Sequence, residues 1–206
     1  MQSKIIFLLL VSISCAIALQ TVNGRIKITV ITTAYCSDTV TFIQNHLRET
    51  YSLYSDYLEV EFLPWGRTQR NVDGSLTCQF GVADCWSNRV HRCALDMLKG
   101  NQTRQLEFMS CEFVIPITSS YRCAQEMGLN LIDLDYCVSS SAGDHLDTAA
   151  ETASVASVQI INFIPAIIFN NDQPSRDVSM AAFANLRNMV CQALAADPIT
   201  GVNTCT

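Results

Sequence analysis

The sequence predicts an α/β fold carrying a disulfide-stapled helical insertion, and three observations predict it. Residues 25–63 run strand, amphipathic helix, strand. Between about residues 78 and 156 the chain changes character, with six of its ten cysteines set among short helical patterns and glycine turns. A late β-forming stretch then follows, interrupted by Pro165 and succeeded by one more amphipathic helix.

The elements follow in order. Lys4 precedes an apolar run from Ile5 that reaches Ala16-Ile17-Ala18, a small-x-small pattern of the kind cleaved from secreted proteins. The run is too short and wrongly flanked for a membrane span. We therefore expect a signal peptide over 1–18 and a single mature domain over 19–206, soluble, not inserted in a membrane, and routed through the secretory pathway. Arg25 to Thr33 is rich in Ile, Val and Thr, the composition of a buried strand. Past Cys36, the residues Val40, Ile43, Leu47, Tyr51 and Tyr54 recur at three- and four-residue steps and lay one apolar stripe along a helix. Leu58 to Leu63 reads as the next strand, stopped by Pro64. A crossover of this kind joins parallel strands right-handedly, and its ligand side is the carboxyl end of the first strand. Cys36 lies at that end.

The middle segment is expected as helices stapled together, with Ser139 to Gly143 as its flexible loop and the acidic stretch from Asp133 to Asp147 as a solvated face. His46, His91 and His145 read as surface or helix-face residues, and Trp65 and Trp86 as core or rim. Val158 to Phe169 is strongly β-forming apart from Pro165, and Asn170-Asn171-Asp172 supplies a turn. Phe183, Leu186, Val190 and Leu194 trace the final helix.

A formal net charge of −6 with no basic run offers no footprint for nucleic acid or an anionic membrane. Without Cys15 nine cysteines remain, and an odd number in an oxidising compartment leaves one unpaired or bonded to another molecule, which keeps a covalent dimer open. Cys78, Cys85 and Cys93, with His91 nearby, lack the usual short ligand spacing of zinc, so no metal is expected. Asn101-Gln102-Thr103 is a sequon, which makes Asn101 a glycan site on an exposed loop.

Cys36 is the candidate nucleophile. A thiol at the start of a helix faces the unpaired amides of the first turn, whose partial positive charge favours an anion. A parallel strand-helix-strand start, a cysteine at the first helix, a helical insertion and a late strand led by proline together resemble the thioredoxin-like fold. That resemblance implies that Ile164, before Pro165, lies opposite Cys36 and borders the substrate groove. It becomes specific at Cys78-Gln79-Phe80-Gly81-Val82-Ala83-Asp84-Cys85-Trp86-Ser87-Asn88, followed by Cys93. This run is similar to the signature of the gamma-interferon-inducible lysosomal thiol reductase (GILT) family, Cys-Gln-His-Gly-x-x-Glu-Cys-x-x-Asn-x-x-x-x-Cys. Cys78, Gln79, Gly81, Cys85, Asn88 and Cys93 match in register, while Phe80 stands for the histidine and Asp84 for the glutamate. The family implies reduction of protein disulfides in acidic endosomes and lysosomes.

The chain departs from that family where its reductases carry Cys-x-x-Cys, for here the residues are Cys36-Ser37-Asp38-Thr39. In a dithiol enzyme the second cysteine breaks the mixed disulfide formed by the first. Thr39 cannot do so, although its hydroxyl is placed to donate a hydrogen bond to the Cys36 sulfur. Two functions follow. One is a secreted or lysosomal oxidoreductase that reduces disulfide-containing proteins or peptides through Cys36 alone, without a cofactor, released by an external thiol such as glutathione or cysteine. The other is a binding protein that captures partners as mixed disulfides at Cys36 or holds peptide in the groove around Pro165.

Overall fold

A computed structural model describes residues 19–114 and 121–205; the expected signal peptide, with Cys15, lies outside the described residues. The central strand β1 (Ile26–Thr32) buries every residue except the half-buried Lys27. Such a continuous apolar run suits a strand covered on both faces. It leads into α1 (Ser37–Phe42), a π-helical turn (Ile43–Leu47) and α2 (Arg48–Tyr54). Ile43 and Leu47 from the predicted stripe are fully buried, and Tyr51 and Tyr54 pack at the margin of the core. The chain returns as β2 (Leu58–Pro64), parallel to β1 in a register running from Ile26 opposite Leu58 to Thr32 opposite Pro64.

A small antiparallel hairpin, β3 (Gln69–Arg70) and β4 (Leu76–Thr77), precedes five helices: α3 (Val82–Met97), α4 (Gln102–Glu112), α5 (Arg122–Glu126), α6 (Leu131–Ser139) and α7 (Ser141–Ile161). Strand β5 (Ala166–Phe169) then pairs antiparallel with β1, giving the sheet order β2-β1-β5, and α8 (Arg176–Ala196) closes the fold. No helix among the described residues is long and apolar enough to cross a membrane.

The late strand is shorter than its composition suggests. Val158 to Ile161 belong to α7, which ends at Asn162 in the left-handed conformation (φ 48°, ψ 37°) with its N–H bonded to the Val158 carbonyl. β-Branched residues cost a helix only a few tenths of a kcal/mol each. Burying Ile161 completely on the helix outweighs that preference. Ser139 to Gly143 is likewise a helix junction and not a loop. Ser140 caps α7, its hydroxyl accepting from the Ala142 N–H.

Two charged or polar residues expected at the surface lie inside. Asp147 is 2% exposed and accepts from Arg92 Nη2 at 2.6 Å and Arg89 Nη1 at 3.1 Å. Burial pushes the Arg92 guanidinium below its ordinary value, and the Asp147 charge opposes that shift. Arg92 also donates to the Pro64 carbonyl and sits over the Trp65 ring, so the helical segment grips the end of β2. His91 is buried beside Phe108 and Phe113, with Nε2 3.1 Å from Glu112 Oε2.

Four disulfides join Cys78 to Cys85, Cys93 to Cys137, Cys111 to Cys123 and Cys191 to Cys205. At the outer border of β2, the Val60 N–H donates to Gln102 Oε1 at 2.8 Å, and Gln102 Nε2 donates to the Leu58 carbonyl at 3.0 Å. The side-chain amide of α4 thus occupies the place of a neighbouring strand.

Candidate active site

Cys36 is the one unpaired cysteine among the described residues, and it is the N-cap of α1. Its backbone N–H donates to the Thr33 carbonyl at 3.2 Å, and its carbonyl accepts the first helical hydrogen bond, from Val40. Its side chain makes no cap hydrogen bond. Instead Sγ donates to the Ile164 carbonyl at 3.6 Å, and the following Ile164–Pro165 bond is cis. Two residues far apart in sequence therefore meet across the end of the sheet. Cys36 is 6% exposed and clusters with Ile31, Ile161, Ile164 and Ala166, so the sulfur lies beneath the surface.

Thr39 is fully buried one helical turn on, but its hydroxyl does not donate to the Cys36 sulfur as expected. It has no hydrogen-bond partner among the described residues, because the thiol turns toward the Ile164 carbonyl. Ser37 and Asp38, between the two, are exposed.

The signature run sits beneath this turn. Asp84 is fully buried, and its carboxylate accepts from the Thr33 hydroxyl at 2.9 and 3.0 Å, from Asn88 Nδ2 at 2.9 Å and from the Phe80 N–H at 3.2 Å. Asn88 Oδ1 accepts from the Ala34 N–H at 3.0 Å, and Nδ2 also donates to the Thr33 hydroxyl at 3.1 Å. Asp84 and Asn88 thus hold Thr33 and Ala34, the residues that aim Cys36. Gly81 opens α3 at φ 86°, ψ −165°, a region essentially reserved for glycine. Cys78 and Cys85 close the loop around it, and Cys93 ties α3 to α6. With all three in disulfides, none offers zinc a thiolate. Gln79 is exposed and takes no part in the network. Asn101 is exposed at the N-cap of α4, its Oδ1 accepting from the Arg104 N–H.

Sequence reading did not single out Thr33 or Gly66. A polar residue ending an apolar strand, and a glycine soon after the next one, were the available signals. Gly66 has φ 57°, and a Cβ there would stand 2.6 Å from Thr33 Cβ. Gly66→Ala is therefore expected to cost about 1–3 kcal/mol in urea unfolding, and to slow alkylation of Cys36 by disturbing Thr33. Unfolding and alkylation like wild type would remove Gly66 from the support of the site.

The site can be compared with known proteins. The sequence profile of the family "Gamma interferon inducible lysosomal thiol reductase (GILT)" matches residues 27–127. "GILT-like protein 1" of Drosophila melanogaster is 27% identical over 202 residues, covering 89% of this chain and 80% of its own. The "Gamma-interferon-inducible lysosomal thiol reductase-like protein" of Anopheles gambiae is 23% identical over 199 residues, covering 86% and 80%. Among solved structures, "a thioredoxin-like oxidoreductase from Silicibacter pomeroyi DSS-3" superposes with a TM-score of 0.54 at 13% identity, covering 87% of this chain and 92% of its own. The fold is thioredoxin-like. With the signature run matched in register and relatives aligned over most of its length, this chain belongs to the gamma interferon inducible lysosomal thiol reductase family.

Proposed function

We propose that the protein reduces disulfides of proteins or peptides through Cys36 alone, with an external thiol as the electron donor. One observation carries the reading: the unpaired thiol of the N-cap residue of α1 faces the Ile164 carbonyl, while Thr39 occupies the position of the resolving cysteine. The Cys36 thiolate attacks one sulfur of the substrate, the substrate S–S bond breaks, and its other half leaves as a thiolate that takes a proton from water. An external thiolate then attacks Cys36 Sγ and releases the second half of the substrate. A second external thiol attacks the first one's sulfur, frees Cys36 and departs as a small disulfide. Two external thiols are oxidised for each substrate bridge reduced. The near-complete burial of Cys36 favours extended chains and small disulfides over bridges inside folded domains. The leader-like N-terminus, the four disulfides and the Asn101 sequon support a secretory protein, extracellular or lysosomal.

Turnover of a peptide disulfide is expected to rise in proportion to glutathione. Thr39→Cys should turn over about tenfold faster or more at low glutathione, because resolution becomes intramolecular. If native alkylation of Cys36 leaves turnover unchanged, the reading fails. The absent resolving thiol also favours a second reading, in which Cys36 retains partners as mixed disulfides. Adducts at Cys36 that persist in millimolar glutathione, seen by mass spectrometry of non-reduced protein, would select it.

A further inference from the structure

Two arginines from separate parts of the chain converge beside this site. Arg67, shortly after β2, donates Nη2 to the Asn162 carbonyl at 3.0 Å. Arg176, which opens α8, donates Nη1 to the same carbonyl at 3.0 Å and to that of Ile161 at 2.7 Å. Among the described residues neither forms an ion pair with a carboxylate, although the chain carries a formal net charge of −6. Both residues are exposed. Guanidinium groups that meet at one oxygen repel each other, and an anion seated between them removes that repulsion. Each guanidinium carries five N–H donors in a planar fork, so donors remain for a carboxylate.

The location narrows the ligand. Asn162 precedes by two residues Ile164, whose carbonyl is 3.6 Å from Cys36 Sγ. Two residues of chain span at most about 7 Å. The arginines' shared carbonyl and the carbonyl facing Cys36 thus lie on one short segment, and a small molecule that carries both a thiol and a carboxylate matches the groups at its two ends.

We propose that Arg67 and Arg176 bind the carboxylate of the external thiol that displaces the substrate from Cys36, and so select low-molecular-mass thiol carboxylates as the reductant. The inference rests on the reading that Cys36 acts without a resolving cysteine. With its carboxylate held, the thiol's sulfur attacks Cys36 Sγ in the mixed disulfide. The bond from Sγ to the substrate sulfur breaks, the substrate leaves as a thiolate, and a new S–S bond joins Cys36 to the small thiol.

The test loads Cys36 of the full chain with a thiopyridyl group from dipyridyl disulfide and follows pyridinethione release by thioglycolate and by 2-mercaptoethanol. Each rate is normalised to that with thiopyridyl N-acetylcysteine amide, which removes differences in thiol reactivity. Wild type should favour thioglycolate by about tenfold, as a charge-assisted hydrogen bond implies. The ratio should fall toward one in the Arg67→Gln, Arg176→Gln double variant and with added salt, and survive in part when both become Lys. A wild-type ratio near one, or a ratio unmoved in the double Gln variant, overturns the proposal. Failure of Cys36 to take the thiopyridyl label would instead count against Cys36 as nucleophile. S-Methylglutathione, which cannot exchange, reads the subsite in that event. Calorimetric binding weakened about tenfold in the double Gln variant supports the subsite, whereas equal binding, or none to wild type, refutes it.

Discussion

Cys36→Ser is expected to leave no detectable thiol-dependent reductase activity while preserving the fold and all four disulfides. Serine has the same shape, and its hydroxyl can still donate to the Ile164 carbonyl that Sγ now faces. The expected change in unfolding free energy is therefore within about 1 kcal/mol. A serine hydroxyl without an adjacent base does not attack a disulfide at neutral pH. The eight other described cysteines are paired and cannot substitute for it. Reduction of a fluorogenic peptide disulfide in the presence of glutathione, after subtraction of the glutathione background, measures the effect. A variant as active as wild type would move the chemistry to one of the bridges.

Removing the bridge between Cys93 and Cys137 has the largest expected effect on stability. The two cysteines are 44 residues apart, and closing a loop of that length is worth about 4 kcal/mol through the unfolded chain. A domain of ordinary stability has only about 5–15 kcal/mol to lose. Cys93 is also fully buried, so alanine there leaves space as well as slack. The Cys93→Ala, Cys137→Ala double variant should therefore unfold at much lower urea. Opening Cys78 and Cys85, only seven residues apart, should cost about 2 kcal/mol on the same reasoning. The reverse ranking would show that native packing, and not chain entropy, governs these bridges.

The unit from β1 to β2 was legible because its periodicities are unambiguous: a continuous apolar strand, a stripe at three- and four-residue steps, and a second strand ended by proline. The position of Cys36 followed from that pattern alone. Its meeting with Ile164 did not, since periodicity does not report which distant segments pair; there the family resemblance supplied the expectation. Val158 to Ile161 misled because β-branched composition is a weak preference that a long helix with a buried face overrides. Asp147 and His91 resembled surface residues because the partners that satisfy them, Arg92 and Glu112, lie on other helices that only folding brings beside them. Arg67 and Arg176 were invisible for a similar reason, since a single exposed arginine carries no pattern until the backbone brings another beside it.

The Gln102 amide has a consequence for the protein's behaviour in concentrated, crowded surroundings. An uncovered strand border is a template on which a stray chain can zip, copy after copy, into fibrils. By saturating Leu58 and Val60, Gln102 denies that template its first rungs. The flank of the sheet is thereby kept from seeding aggregation.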